Sequence, residues 1–151
     1  MTNEALQEKL LQLQPALLIE QGNEWLQVTV EPAQWRELAL QLRNDATLQF
    51  DYLFCLTCVD WKTHLGMVYH FTSTSLQHTL VVKSTVDREN PEIETVCDIW
   101  RTAEFHEREV YDLFGVKFLH HPDLRRLLLT DDFNGFPLRK DFEDPINMIK
   151  L

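Results

Sequence analysis

The stretch Phe50 to Val59 is apolar on both faces of an extended chain. Phe50, Tyr52, Phe54, Leu56 and Cys58 alternate with Leu53, Cys55 and Val59, interrupted only by Asp51 and Thr57. A strand that suits water on neither side belongs in the middle of a sheet, so the pattern predicts a central strand with helices packed against the sheet. The run is far shorter than the roughly 20 apolar residues needed to cross a bilayer. No longer apolar run occurs, and any membrane association is therefore expected to be indirect. The 151 residues, 44% of them hydrophobic, suffice for one core and are too few for two.

Helical and strand periodicities frame this segment. Leu6, Leu10 and Leu13 repeat at helical spacing within residues 3–13, behind Thr2 or Asn3 as a cap. Ala16 to Ile19 and Trp25 to Val30 flank Gln21-Gly22-Asn23, a hairpin signal. Pro32 suits a first helical position, and Trp35, Leu38, Ala39 and Leu42 then line one face. Further strands are expected over Leu65–Thr72 and Gln77–Thr85. Asn90-Pro91 predicts a helix start, with Ile93, Val96, Ile99 and Trp100 as its buried stripe. A last helix from about Thr102 to Phe114 ends at Gly115, suited to a left-handed cap.

After Gly115 the periodicity disappears, and Pro122, Pro137 and Pro145 interrupt any long element. The segment still carries Phe118, Leu124, Leu127, Leu128, Leu129, Phe133, Phe136, Leu138 and Phe142, too much apolar surface for a disordered tail. Either it wraps its own domain or it is covered by another protein. Charge divides at the same place. Residues 1–114 hold 8 basic and 18 acidic side chains, residues 115–151 hold 6 of each, and the formal net charge is −10. Such a balance argues against nucleic acid or anionic lipid as the main partner. The polar, acidic start Met1-Thr2-Asn3-Glu4 is not a secretory signal, and three cysteines do not make a disulfide scaffold, so a reducing, intracellular setting is expected.

Candidate chemical sites are sparse. His106-Glu107-Arg108-Glu109-Val110 begins like a zinc-protease helix, but Val110 stands where the second histidine must be. The residues fit better as an exposed ion-paired face, with Glu104, Arg108 and Asp112 at successive i, i+4 steps. Cys55 and Cys58 have thiol-redox or metal spacing, yet three residues apart on a strand they point to opposite faces. His120-His121-Pro122 reads as a turn with a hydrogen-bonded histidine. The four glycines are scattered singly, which excludes a phosphate-binding loop or dinucleotide fingerprint, and an iron–sulfur pattern of four cysteines is lacking. Arg125-Arg126 and Arg139-Lys140, beside Asp131, Asp132 and Asp141, suit contacts to carboxylates, either internal or on a partner.

The stretch Glu107-Arg108-Glu109-Val110-Tyr111-Asp112-Leu113-Phe114-Gly115 is followed by Phe118, by His121-Pro122-Asp123-Leu124-Arg125-Arg126-Leu127-Leu128 and by Pro137-Leu138-Arg139-Lys140-Asp141-Phe142. In order and spacing this resembles the signature of the 30 kDa-type subunit of respiratory complex I, the proton-translocating NADH:quinone oxidoreductase. The resemblance implies an α+β domain over 1–114, with helices on a mixed or antiparallel sheet, and an extended segment over 115–151 that docks on partner subunits. It implies a cofactor-free structural subunit with no catalytic, cofactor-binding or metal-binding residues. FMN and iron–sulfur clusters would then belong to partners, and the nearest neighbour would be the subunit that forms much of the quinone site. The expected location is the hydrophilic arm, peripheral on the cytoplasmic side of a bacterial inner membrane. Glu107, Arg108, Glu109 and Asp112 are expected to fix the last helix, and His121, Arg125, Arg126, Arg139 and Lys140 to serve the tail and its partner interface. Departures are modest: Phe105 stands where tryptophan is common, His120 where a small residue is frequent, and Asp144-Pro145 where many relatives differ. The chain stops at Leu151, so fusion to the quinone-site subunit is not expected. Similar subunits occur in membrane-bound hydrogenases, formate hydrogenlyases and photosynthetic complexes. A stand-alone thiol or metal enzyme using Cys55, Cys58 or His106 is the competing class.

Overall fold

The computed structural model describes residues 1–148. Helix α1, Asn3–Leu13, starts where the Thr2 hydroxyl accepts the Ala5 N–H at 3.2 Å, and it buries Leu6 and Leu10. Strands β1, Leu18–Gln21, and β2, Leu26–Thr29, pair antiparallel as the expected hairpin. Helix α2, Pro32–Asn44, places proline where its missing N–H costs nothing and buries Trp35, Leu38, Ala39 and Leu42 completely. Strands β3, Tyr52–Asp60, β4, His64–Thr72, and β5, Thr79–Asp87, form an antiparallel meander. The sheet order is β1-β2-β5-β4-β3, and β2 runs parallel to β5. The protein is thus α+β with a mixed sheet.

One face of the sheet holds the core. Leu26 and Val28 of β2, Leu80, Val82 and Val86 of β5, Leu65, Met67, Tyr69 and Phe71 of β4, and Leu53, Leu56 and Cys58 of β3 are buried there. The α2 residue Trp35 packs 4.6 Å from Tyr69 and 6.0 Å from Phe71, between ring centroids, and Trp100 lies 4.4 Å from Phe71. Ring pairs of this kind add about 0.5–1.5 kcal/mol each beyond the area they bury. The other face has Thr57 and Thr85 exposed, Val68, His70 and Lys83 half-buried, and, among the described residues, no helix over it.

Two expectations from the sequence need correction. The Phe50–Val59 run is not a central strand. Strand β3 lies at the edge, β4 and β5 occupy the middle, and Phe50 precedes the strand as a core residue. Its second set of apolar side chains lies on the helix-free face, where Tyr52 is exposed and Phe54 and Cys55 are half-buried. The helix predicted from Pro91 does not form either. Glu92–Glu94 is a short strand, β6, parallel to β7, Lys117–Leu119, and turns follow it. Ile93, Val96 and Trp100 are buried as that stripe required. Here a strand and a turn bury them as well as a helix could, and Ile93, Thr95 and Val96 are β-branched, favouring extended backbone.

Helix α3, Ala103–Phe114, ends at Gly115 in the left-handed region, φ +80°, whose N–H returns to the Tyr111 carbonyl at 2.9 Å. Core packing continues past that glycine through Val116 and Phe118, both buried. A tail of turns follows from His120. A Cβ on Gly115 would come within 2.7 Å of the Phe136 ring. Gly115→Ala should therefore cost about 1–3 kcal/mol through backbone strain and displacement of that ring. Urea denaturation of the full chain measures this, and an unchanged midpoint would refute it.

Candidate partner-binding site around the last helix and the tail

The charged residues of α3 do not form an exposed ladder. Glu107 and Asp112 are fully buried and Arg108 is 6% exposed. That corrects the expectation of Glu104, Arg108 and Asp112 paired along a solvated face. Each buried charge is satisfied by backbone from outside the helix, a signal that i, i+4 spacing cannot carry. Arg108 donates to the carbonyls of Arg125 and Arg126 at 3.2 and 3.0 Å. The Asp112 carboxylate accepts three successive amides, those of Leu127, Leu128 and Leu129, at 3.1, 2.7 and 3.0 Å. It also takes Arg126 at 2.9 Å. Burial opposes ionisation of Asp112, but these donors outweigh it and hold the carboxyl below its ordinary range.

Arg126 ties the knot from the tail side. It reaches the Asp112 carbonyl at 3.0 Å and the carbonyls of Phe133 and Gly135 at 3.0 and 2.9 Å, with Phe133 and Phe136 against its guanidinium. Arg139 donates to the Phe114 carbonyl at 2.6 Å and to that of Arg88 at 3.3 Å. A second post stands at the end of β3. There buried Asp60 pairs with Arg88 and accepts the amides of Lys62 and Lys140, each at 2.8 Å. Burial would raise the Asp60 carboxyl, yet these donors bring it down to about 2. Asp60 carries no sequence signal of this role, because its partners lie 28 and 80 residues away. Arg125 is exposed and paired with Asp123 at 3.0 Å, the Lys140 side chain is exposed, and Glu109 is half-buried on α3. The tail is thus strapped to its own domain, while Leu127, Leu128, Leu138, Ile146 and Met148 stay 37–91% exposed.

A third buried group sits at the start of α3. Glu107 accepts the Thr95 hydroxyl at 2.5 Å and the Val96 amide at 2.8 Å, fastening the turn after β6 to the helix. Burial pushes its carboxyl up to about 7, against the pull of those two donors. His121 Nε2 lies 3.8 Å from it. Cys97, Glu107 and His121 place one ligand atom each within 4.8 Å of one another, a set suited to a transition metal by type. The histidine is already committed. Its Nδ1 accepts the Asp123 N–H at 3.0 Å, which leaves Nε2 protonated and donating to the Glu104 carbonyl at 3.0 Å. That tautomer aims no lone pair at the cluster, so the arrangement works as a hydrogen-bonded post. Cys55 and Cys58 diverge as expected, Cys55 facing His70 across the strand pair and Cys58 entering the core opposite Met67. Burial raises the Cys58 thiol to about 12.

Two outcomes follow. Asp112→Ala leaves three amides without their acceptor and the Arg126 guanidinium without its counter-charge, and should cost about 3–5 kcal/mol. Limited trypsin digestion should then cut at Arg125 or Arg126 much faster than in the wild type, and equal cleavage rates would refute the strap. Glu107 has a folded pKa above its unfolded value, so its contribution is fully present below about pH 4.5 and is lost as pH rises through 7. From the printed shift this is on the order of 3 kcal/mol. Denaturation between pH 4.5 and 7.5 should show that fall in the wild type and not in Glu107→Gln, whereas parallel curves would sink the assignment.

Comparison with known proteins matches this architecture. The family described as "Respiratory-chain NADH dehydrogenase, 30 Kd subunit" aligns with residues 28–146. The C subunit of NADH-quinone oxidoreductase of Chloroherpeton thalassium is 46% identical over 111 residues, which are 72% of this chain and 46% of that protein. Its counterpart of the same name in Moorella thermoacetica is 39% identical over 137 residues, covering 89% of this chain and 91% of its own length. In Phocaeicola vulgatus the C/D subunit of NADH-quinone oxidoreductase is 46% identical over 117 residues, 76% of this chain and 22% of that protein. This chain therefore spans less than half of the first and third of these relatives. Among solved structures, the trypsin-resistant fragment (1-134) of Nqo5 superposes with TM-score 0.71 and 28% identity, covering 82% of this chain and all of that fragment. A component of a membrane-bound sulfane sulfur reductase, an archaeal respiratory membrane complex, gives TM-score 0.80 at 28% identity, covering 93% of this chain and 85% of its own. With matched residues running through the strapped tail, the chain belongs to the family of the 30 kDa subunit of respiratory-chain NADH dehydrogenase.

Proposed function

We propose that this chain is a structural subunit of the hydrophilic arm of NADH:quinone oxidoreductase, with no cofactor and no catalytic residue of its own. Electron transfer from NADH to quinone and the coupled proton translocation would belong to the whole complex, whose FMN and iron–sulfur clusters would sit in partner subunits. The observation that carries this reading is the strapped tail. Arg126 and Arg139, with Asp112 and Asp60, hold residues 120–142 in one irregular shape while leaving Leu127, Leu128 and Leu138 outward. Polar groups spent on internal bonds fix the shape, and the apolar side chains left over suit burial against a neighbour. The quinone-site subunit is the proposed neighbour, a reading supported by relatives whose C/D name joins the two in one polypeptide. Among the described residues no helix is long and apolar enough to cross a membrane. The proposed position is peripheral, on the cytoplasmic side.

A related reading has a specific observation behind it. The sulfane sulfur reductase component shares this fold, so the scaffold suits complexes with another electron donor or acceptor, such as a membrane-bound hydrogenase, a formate hydrogenlyase or a photosynthetic relative. Affinity purification of the complex through this chain discriminates between them. An NADH-oxidising flavoprotein in the preparation supports the first reading, and a nickel-containing large subunit supports the second. Arg139→Glu, which breaks the contact to Phe114, should lower the amount of chain recovered with the quinone-site subunit by at least tenfold. Undiminished recovery with full NADH oxidation would count against the anchoring role.

A further inference from the structure

Glu107 is a fully buried acid that no cation neutralises. Among the described residues it makes no ion pair with a lysine or arginine, and its two donors, the Thr95 hydroxyl and the Val96 amide, are uncharged. Arg36 of α2 is bonded to Asp98 at 2.8 and 2.5 Å and to the Thr95 carbonyl at 2.9 Å, and Asp98 opposes ionisation of Glu107 more than Arg36 favours it. Arg108, the next residue of α3, is bonded to the carbonyls of Arg125 and Arg126. The Tyr69 hydroxyl of β4 and the Cys97 thiol face the same carboxyl, and burial keeps both uncharged.

Solvent stands close by. A cleft of about 580 Å³ is lined by Thr95 and Cys97 of the turn after β6, by Glu104 at the start of α3, and by His120 and Pro122 of the tail. Its charges are Arg36 and Arg101 against Glu94, Asp98 and Glu104. Between His120 and Pro122 the His121 side chain turns inward, wholly buried, with Nε2 at 3.8 Å from the Glu107 carboxyl. The walls differ in how firmly they are held. The turn after β6 is fixed by Arg36, by the Thr95 N–H on the Leu119 carbonyl at 3.0 Å and by burial of Val96 and Trp100. Residues 120–123 reach the domain through two side-chain hydrogen bonds, His121 to the Glu104 carbonyl at 3.0 Å and the exposed His120 to Glu94 at 2.9 Å.

We propose that residues 120–123 form a proton-operated lid: His121 closes over Glu107 while that carboxyl holds a proton, and the turn lifts toward the cleft when the proton leaves, so that water reaches the carboxylate. A carboxylate without a charged partner gains most from hydration, and the weakly held wall is the one that yields. Burial pushes the closed carboxyl up to about 7, whereas a hydrated one titrates near its ordinary 4.5. Opening therefore becomes more favourable as pH rises from 4.5 through 7 and is independent of pH outside that window. Arg108 and Arg126 hold the tail beyond the lid, so it can open without releasing the strap.

Amide hydrogen exchange in the full chain tests the lid. The N–H groups of His121 and Asp123 are bonded within the closed turn, to the Phe118 carbonyl at 3.2 Å and to His121 Nδ1 at 3.0 Å. Their protection, relative to intrinsic exchange at each pH, should fall at least tenfold between pH 5 and 7.5 in the wild type and less than twofold in Glu107→Gln. Protection independent of pH in the wild type overturns the proposal, and so does the same fall in Glu107→Gln, which assigns the response to another group. Protection equal to that of the β4 amides means exchange through global unfolding only and overturns it as well. His121→Ala, which removes the lid side chain, decides the matter if Glu107→Gln does not fold. Followed by carbon-13 NMR of its carboxyl, Glu107 should then titrate at least one pH unit lower than in the wild type, and an unchanged midpoint overturns the lid.

Discussion

The path of the tail through Arg126 to Leu129 depends on the Asp112 carboxylate. One buried acid near the end of a helix accepts three successive amides and a guanidinium, so a segment without periodicity acquires a fixed path. The site is a concavity of N–H groups that backbone turns present to an anion, with the anion supplied by the protein itself. Its ionisation is secured by donors and not by solvent, which is why a fully buried acid can stay charged there. Arg126 then spreads the same charge into the tail through two further carbonyls and two rings.

Glu107 shows the opposite outcome on the same helix. It has two donors where Asp112 has four, and burial wins, so its carboxyl rises to about 7. The difference sorts the two acids by task. Asp112 holds a charged strap across the surface, and Glu107 holds a short strand and turn against the helix from inside the core. Asp60, with Arg88 and two amides, repeats the first solution at the far edge of the sheet. Three anchors spread over the domain make the tail and the turn after β6 parts of one body.

Local periodicity carried most of the fold. α1, the hairpin, α2, the meander and α3 follow from spacing and caps that neighbours in sequence supply. The errors came where burial was decided at a distance. Apolar alternation in Phe50–Val59 cannot distinguish a strand between two others from an edge strand with a bare aromatic face. The Ile93, Val96 and Trp100 spacing cannot distinguish a helix from a strand followed by a turn. At the candidate site, the residues of the tail signature were legible as a group through their resemblance to a family. Their partners were not, because Asp60, Arg88 and Lys140 meet only after the chain has folded. Glu107, Arg108 and Asp112 looked like a solvated face because single-helix geometry is blind to what packs on it.

The parallel pairing of β2 with β5 has a consequence for how the molecule comes into being. The strands are joined in the sheet at Leu26 beside Leu80, with α2, β3 and β4 lying between them in the chain. While the polypeptide emerges from the ribosome, the first hairpin has no lateral neighbour until Thr79–Asp87 has been made. Closing so long a loop is entropically costly and slow. Leu26 and Val28 would wait uncovered in that interval, so a nascent chain halted before residue 87 is the form of this protein most exposed to chaperones and proteases.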